Sequence, residues 1–175
     1  VSAAPTAVPG ALEEPFVPVR RGYIGAVSLA NLGITIAFFT PIQFLLPLQV
    51  EAIDPAAKES NLGIVVAVGA LVALVASPLA GAFSDRTSAR LGRRRTWVLW
   101  PTLAACGVLA LMGGLTTIGG LVLGWALAQL TLNASYAAVT AMLPDQVPVA
   151  QRGTVGAVVG AAQPLGIILG SLIAT

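Results

Sequence analysis

The chain has 175 residues, 57% of them hydrophobic and 9% charged, where a soluble domain carries about 25% charged residues. A mean hydropathy of +0.90 leaves too little polar surface to cover a water-soluble globule, so lipid is the expected solvent. A net charge of +2, no histidine and a single cysteine, Cys106, leave little material for a nucleic-acid partner, a metal centre, a catalytic triad or an internal disulfide.

Residues 1–19, rich in Pro and Ala with Glu13 and Glu14, read as a flexible tail without the basic start and short apolar core of a signal peptide. Val1 in place of methionine, and Thr175 inside an apolar stretch, lead to the expectation that the chain is the N-terminal part of a longer protein. Residues 20–175 read as a transmembrane helical domain truncated at its C-terminus. Its four charge-free windows begin at Gly22, Ser60, Thr96 and Gly153. A helix needs about 20 apolar residues to cross the hydrocarbon, and continuous apolar runs suit helices better than barrel strands. The window from Thr96 to Pro144 is long enough for two spans, and Gly113-Gly114 through Gly119-Gly120 supply turn chemistry between them. The expected fold is therefore an all-α polytopic membrane protein with five spans, roughly 23–50, 61–83, 97–115, 119–143 and 154–174. Pro41 and Pro47 are expected to kink the first span.

Alternating spans put Arg20, Arg21, the arginines of the loop after the second span, and Arg152 on one side. The other side holds Lys58 with Glu51, Asp54 and Glu59. Lys and Arg favour cytoplasmic loops, so the N-terminus and both arginine-bearing loops are expected in the cytoplasm of a plasma-membrane protein.

The loop from Gly81 to Arg95 carries the most information. It runs Gly81, two apolar residues, Ser84, Asp85-Arg86, and after Thr87–Leu91 the run Gly92-Arg93-Arg94-Arg95. Gly81 would let another backbone approach, Asp85 is an anion among arginines, and Gly92 allows a tight turn. On charge alone the loop could be a topology signal and nothing more. A second segment, Leu143-Pro144-Asp145-Gln146-Val147-Pro148 followed by Gln151-Arg152-Gly153, breaks and restarts a helix.

The first loop resembles the signature between the second and third helices of the major facilitator superfamily. The second resembles the link between its fourth and fifth helices. Five residues between Asp-Arg and Gly-Arg, where the general pattern has about one, make the first loop similar to the glycoside–pentoside–hexuronide and sucrose-symporter branch, although Thr96 stands where that branch often has proline. The resemblance implies two six-helix halves that alternate around a central cavity, of which this chain would hold part of the first. It implies a conformational latch built from Gly81, Asp85, Arg86, Gly92, Arg93, Arg94, Asp145 and Arg152, closing on the other half of the same protein and binding no substrate. No cofactor is implied.

The polar residues within the spans are few. Gln129, Asn133 and Tyr136, spaced four and three apart, share one face of the fourth span, and Asn31 lies on the first. They could line a cavity for a hydroxyl-rich solute or hydrogen-bond between helices. Asn133 and Tyr136 are expected on the translocation path, and Gln163 of the fifth span at a packing surface. Gly156, Gly160, Gly166 and Gly170 suit close helix packing. No charged residue lies deep in a span, so coupling to a proton or sodium ion is not located in this half. The leading expectation is secondary active transport of a small solute, a sugar or glycoside first. A drug or metabolite exporter is the alternative within transport. A receptor or membrane enzyme would be a different class, and without histidine or intramembrane carboxylates an enzyme has little to work with.

Overall fold

The computed structural model describes residues 15, 17–88 and 92–174; the expected tail falls mostly outside them, as does Arg90. The described residues contain helices and no strand. In chain order these are α1 (Arg21–Thr40), a π turn (Pro41–Leu45), α2 (Leu46–Ile53), α3 (Lys58–Arg86), α4 (Arg93–Met112), α5 (Ile118–Gln146), α6 (Val149–Gly160) and α7 (Ala162–Ala174). They make five candidate spans by length and composition: Arg21–Ile53, Lys58–Arg86, Arg93–Met112, Ile118–Gln146 and Val149–Ile173. The helices outrun the apolar windows because their charged ends, such as Lys58-Glu59 and Asp85-Arg86, stay helical.

Local chemistry sets the boundaries. Gly92 precedes α4 with φ +92°, a left-handed conformation that costs glycine little. Between α4 and α5 the chain turns through Gly113–Thr117, and the Thr117 hydroxyl caps α5 by accepting from the Gly120 N–H at 3.2 Å. In the first span, Pro47 lacks an N–H and its ring would crowd the carbonyl four residues back. The preceding turn widens, and the Leu46 N–H reaches back five residues to the Pro41 carbonyl.

At the centre stands α5, packed along α3 and α4 and touching α1 and α6. Trp125, Leu121, Leu132 and Ser135 of this helix are fully buried. The α3 backbone comes close over it at Gly69, where a Cβ would lie 2.5 Å from the Trp125 ring. On the other flank α1 packs on α7, with Gly166 and Gly170 against Thr35 and Thr40. The outer surface is apolar: Leu71 is 66% exposed, Leu74 73% and Leu111 75%. Apolar surface of this extent facing outward is what a hydrocarbon solvent requires.

Hydrogen bonds tie the two ends of the bundle separately. At one end, Val19 N–H donates to Gln151 Oε1 at 2.9 Å and the Tyr23 hydroxyl to the Met142 carbonyl at 3.4 Å. At the other end, Lys58 pairs with Glu51 at 2.6 Å, Asn61 donates to Asp54 at 3.0 Å and Gln49 to the Met112 carbonyl at 2.9 Å. The described arginines all gather at the first, here called the arginine end.

Candidate functional site

Two sites emerge, one at the arginine end and one within the bundle. At the first, α3, α4 and α5 terminate together, which brings Asp85, Arg93, Arg94 and Asp145 into one network. Arg94 is its centre and is 8% exposed. Its Nε meets Asp145 Oδ2 at 2.7 Å, one terminal nitrogen meets Asp85 Oδ1 at 2.8 Å, and the other donates to the buried Ser84 hydroxyl at 3.1 Å. Arg93 adds a second contact to Asp145 at 3.0 Å and lies 3.9 Å from Asp85. A buried guanidinium requires partners in this fork geometry, and two carboxylates from different helices supply them.

The remaining loop residues are placed differently. Arg152 turns to the end of α5, donating to the Val147 and Pro144 carbonyls at 3.0 and 3.1 Å. Those carbonyls have no partner within the helix, and a cation there suits the helix dipole. Arg86 is exposed and makes no ion pair or hydrogen bond among the described residues. A Cβ at Gly81 would meet nothing within 4 Å, so the close neighbour expected there is not among the described residues.

The second site is a cavity of about 320 Å³ where α1, α5 and α7 face one another. Asn31, Thr35, Asn133, Tyr136 and Gln163 supply its polar lining, and Phe38 and Phe39 its aromatic lining. No ionisable Asp, Glu, Lys or Arg lines it. The Asn31 amide donates to the Val159 carbonyl at 2.9 Å and leaves Oδ1 buried with no partner among the described residues. Asn133 donates to the Gln129 backbone and side-chain oxygens at 2.7 and 2.9 Å and accepts from Ser77 at 3.4 Å. The side chains of Tyr136 and Gln163 have no hydrogen-bond partner among the described residues.

Two polar residues thus exchange the roles expected of them. Gln129 shares a helical face with Asn133, yet it is 8% exposed and lies off the cavity wall. The close approach of α3 at Gly69, whose Cβ position is 3.2 Å from Gln129 Cγ, covers it. Gln163, expected at a packing surface, lines the cavity at the start of α7. The helix is interrupted at Ala161, between α6 and α7, just before it. Among the described residues no group of His, Cys, Asp or Glu could hold a metal ion.

A comparison with family models matches residues 24–175 to the Major Facilitator Superfamily. Searches of curated proteins and of solved structures returned no match. The family match takes in the helical bundle from the fourth residue of α1 onward and both sites, so this chain belongs to the major facilitator superfamily, whose members move small solutes across membranes.

Proposed function

We propose that the protein is a secondary transporter of a small, uncharged, polar solute, with sugars and glycosides as the first class. The cavity carries this reading. Amide and phenol groups without formal charge suit hydroxyls, and Phe38 and Phe39 offer flat apolar faces to the C–H surface of a ring. Asn31 Oδ1 is buried with no partner among the described residues, and a small turn of the side chain would bring this acceptor to a solute hydroxyl or a water. Asn31, Asn133 and Tyr136 are the proposed solute contacts, joined by Gln163, while Gln129 braces Asn133 from behind.

At the arginine end, the latch is proposed to act in two layers. Arg94 and Asp145 hold α4 and α5 together, with Arg93 in support. Gly81, Asp85 and Gly92 shape the edge that meets the other half of the transporter, and contacts there break as that side opens, while Arg86, also expected in the latch, lies in line with the outer groove on α3 and is left out of that edge. Arg152 fixes the end of α5. The positive-inside bias supports a cytoplasmic position for this end and the N-terminus, and the plasma membrane is the proposed location. A coupling proton or sodium ion would be held outside this set of spans, which offers no carboxylate in its cavity.

Counterflow in proteoliposomes tests the solute class. Neutral sugars and glycosides should exchange with a preloaded labelled sugar. Tyr136→Phe and Gln163→Ala should each raise half-saturation several-fold with unchanged thermal stability. Exchange of charged organic ions with no competition from neutral sugars would refute the reading.

A further inference from the structure

A second, larger hollow lies on the outer face of the bundle, away from the cavity. It has a volume of about 790 Å³, within the roughly 300–1,000 Å³ of small-molecule sites. It exists because α3 and α4 both pack along α5 but meet each other at few positions. Leu79 and Phe83 form one wall, Trp97 and Trp100 the other, and Leu130 and Ala134 the floor. Thr131 is the one hydroxyl of the lining, and it donates to the Leu127 and Ala128 carbonyls at 2.9 and 3.0 Å. The groove therefore presents apolar surface, which suits hydrocarbon and offers a polar solute nothing.

The arginine end of the groove is closed by an aromatic pair. The Phe83 and Trp97 rings stack at 6.4 Å with an interplanar angle of 2°. Trp97 also donates to the Thr87 hydroxyl at 2.8 Å. An indole with its apolar body on a groove and its N–H on a loop hydroxyl sits as tryptophans do at headgroup depth. The helical stripes that form the walls run on into charge. Leu79, Phe83 and Arg86 follow at spacings of four and three on α3, as do Arg93, Trp97 and Trp100 on α4. Each wall thus ends in an arginine. Arg93 is shared with Asp145 and Asp85, whereas exposed Arg86 has no anionic partner among the described residues.

We propose that this groove binds an anionic phospholipid from the leaflet on the arginine side. Its acyl chain lies between α3 and α4 over Leu130 and Ala134, and its phosphate is met by Arg86 with help from Arg93. Charge complementarity selects this occupant: a zwitterionic lipid would fill the groove but gain less from the arginines, and a neutral helix would leave Arg86 without its anion.

Tryptophan fluorescence tests the assignment, because Trp97 and Trp100 line the groove while Trp125 is fully buried. The protein is reconstituted in phosphatidylcholine vesicles containing increasing fractions of phosphatidylglycerol or phosphatidylcholine brominated on the acyl chain. Brominated phosphatidylglycerol should quench with about five-fold higher apparent affinity, the value of one basic residue at an anionic surface. Arg86→Gln should abolish that preference and Arg86→Lys should keep it. Three results would overturn the proposal. Equal quenching by the two lipids would mean ordinary contact with bulk lipid. A preference that survives Arg86→Gln would place the headgroup elsewhere. Quenching no greater than in a Trp97→Phe/Trp100→Phe double variant would mean that protein covers the groove.

Discussion

Replacing Arg94 with glutamine removes the cation shared by Asp85 and Asp145 and keeps a side chain that can still donate to Ser84. The loss has two unequal parts. Asp145 is 29% exposed and its contact at 2.7 Å is a charge-assisted hydrogen bond, worth about 1.5–3 kcal/mol. Asp85 is 56% exposed, so water screens its contact to about 0–1 kcal/mol. Arg93 stays 3.0 Å from Asp145 and softens the first part. Together these give a destabilisation of about 2–3 kcal/mol, below the roughly 3–5 kcal/mol for breaking a fully buried pair. At about 2–4 °C per kcal/mol for a chain of this size, Arg94→Gln should lower Tm by about 5–10 °C. Asp145→Asn should cost less, because Arg94 keeps Asp85, and Asp85→Asn least, about 3 °C or under. Heating the detergent-solubilised protein and measuring the surviving monodisperse peak by size exclusion gives the order. If Asp85→Asn falls as far as Arg94→Gln, the division of the network by burial is wrong.

Gly69→Ala should destabilise by about 1–3 kcal/mol, since the new methyl would press on the rigid, fully buried Trp125 ring; unchanged Tm would mean the helices part without cost. Asp85→Asn should insert normally yet slow transport several-fold, because insertion follows the arginine bias while the exposed carboxylate is proposed to lie on the moving edge; normal uptake kinetics would reduce the loop to a topology signal. Cysteines at exposed Ser88 and Ala56 should label from opposite sides, Ala56→Cys from outside and Ser88→Cys only after permeabilisation. The reverse pattern would invert the orientation.

Hydropathy made the bundle legible because each span must satisfy its backbone within itself, and a charge-free window about 20 residues long has few other solutions. The turn between α4 and α5 was legible as a region, Gly113-Gly114 through Gly119-Gly120, but not in its bounds, because the Thr117 cap starts α5 early and leaves Gly119-Gly120 helical. The prolines of the first span signalled a disturbance, but a kink and a widened turn look alike in sequence. The sites were legible in part. Asp85 among arginines announced an ion pair, yet Arg94 to Asp145 spans 51 positions and depends on three helices ending together. Likewise, periodicity ordered Gln129, Asn133 and Tyr136 on one face but could not tell which would be covered by α3. Gln163 lines the cavity just after the break at Ala161, where Pro164 leaves the Gly160 carbonyl without its N–H; the proline stands in the sequence, but which side chain the break turns toward the cavity does not.

The π turn in the first span amounts to a one-residue insertion in an otherwise regular helix. Val27, Asn31, Ile34, Thr35 and Thr40 are the buried residues of α1, and the edge formed by 27, 31 and 34 would continue through 38, 41 and 45 in an unbroken α-helix. Beyond the turn the fully buried positions are instead Leu46 and Val50, one step out of phase. The wide turn absorbs that step, so α1 faces α5 and α7 while α2 presents Leu46 and Val50 to the core with Val65 and Trp125. Removing one residue within 42–45 together with Pro47→Ala, which restores the missing N–H, would close the turn into ordinary α-helix and leave both faces aligned. The same deletion one turn away, in α1 or α2, would rotate one part of the span against the other by about 100°. Tolerance to a change in chain length within this span is therefore concentrated in four positions.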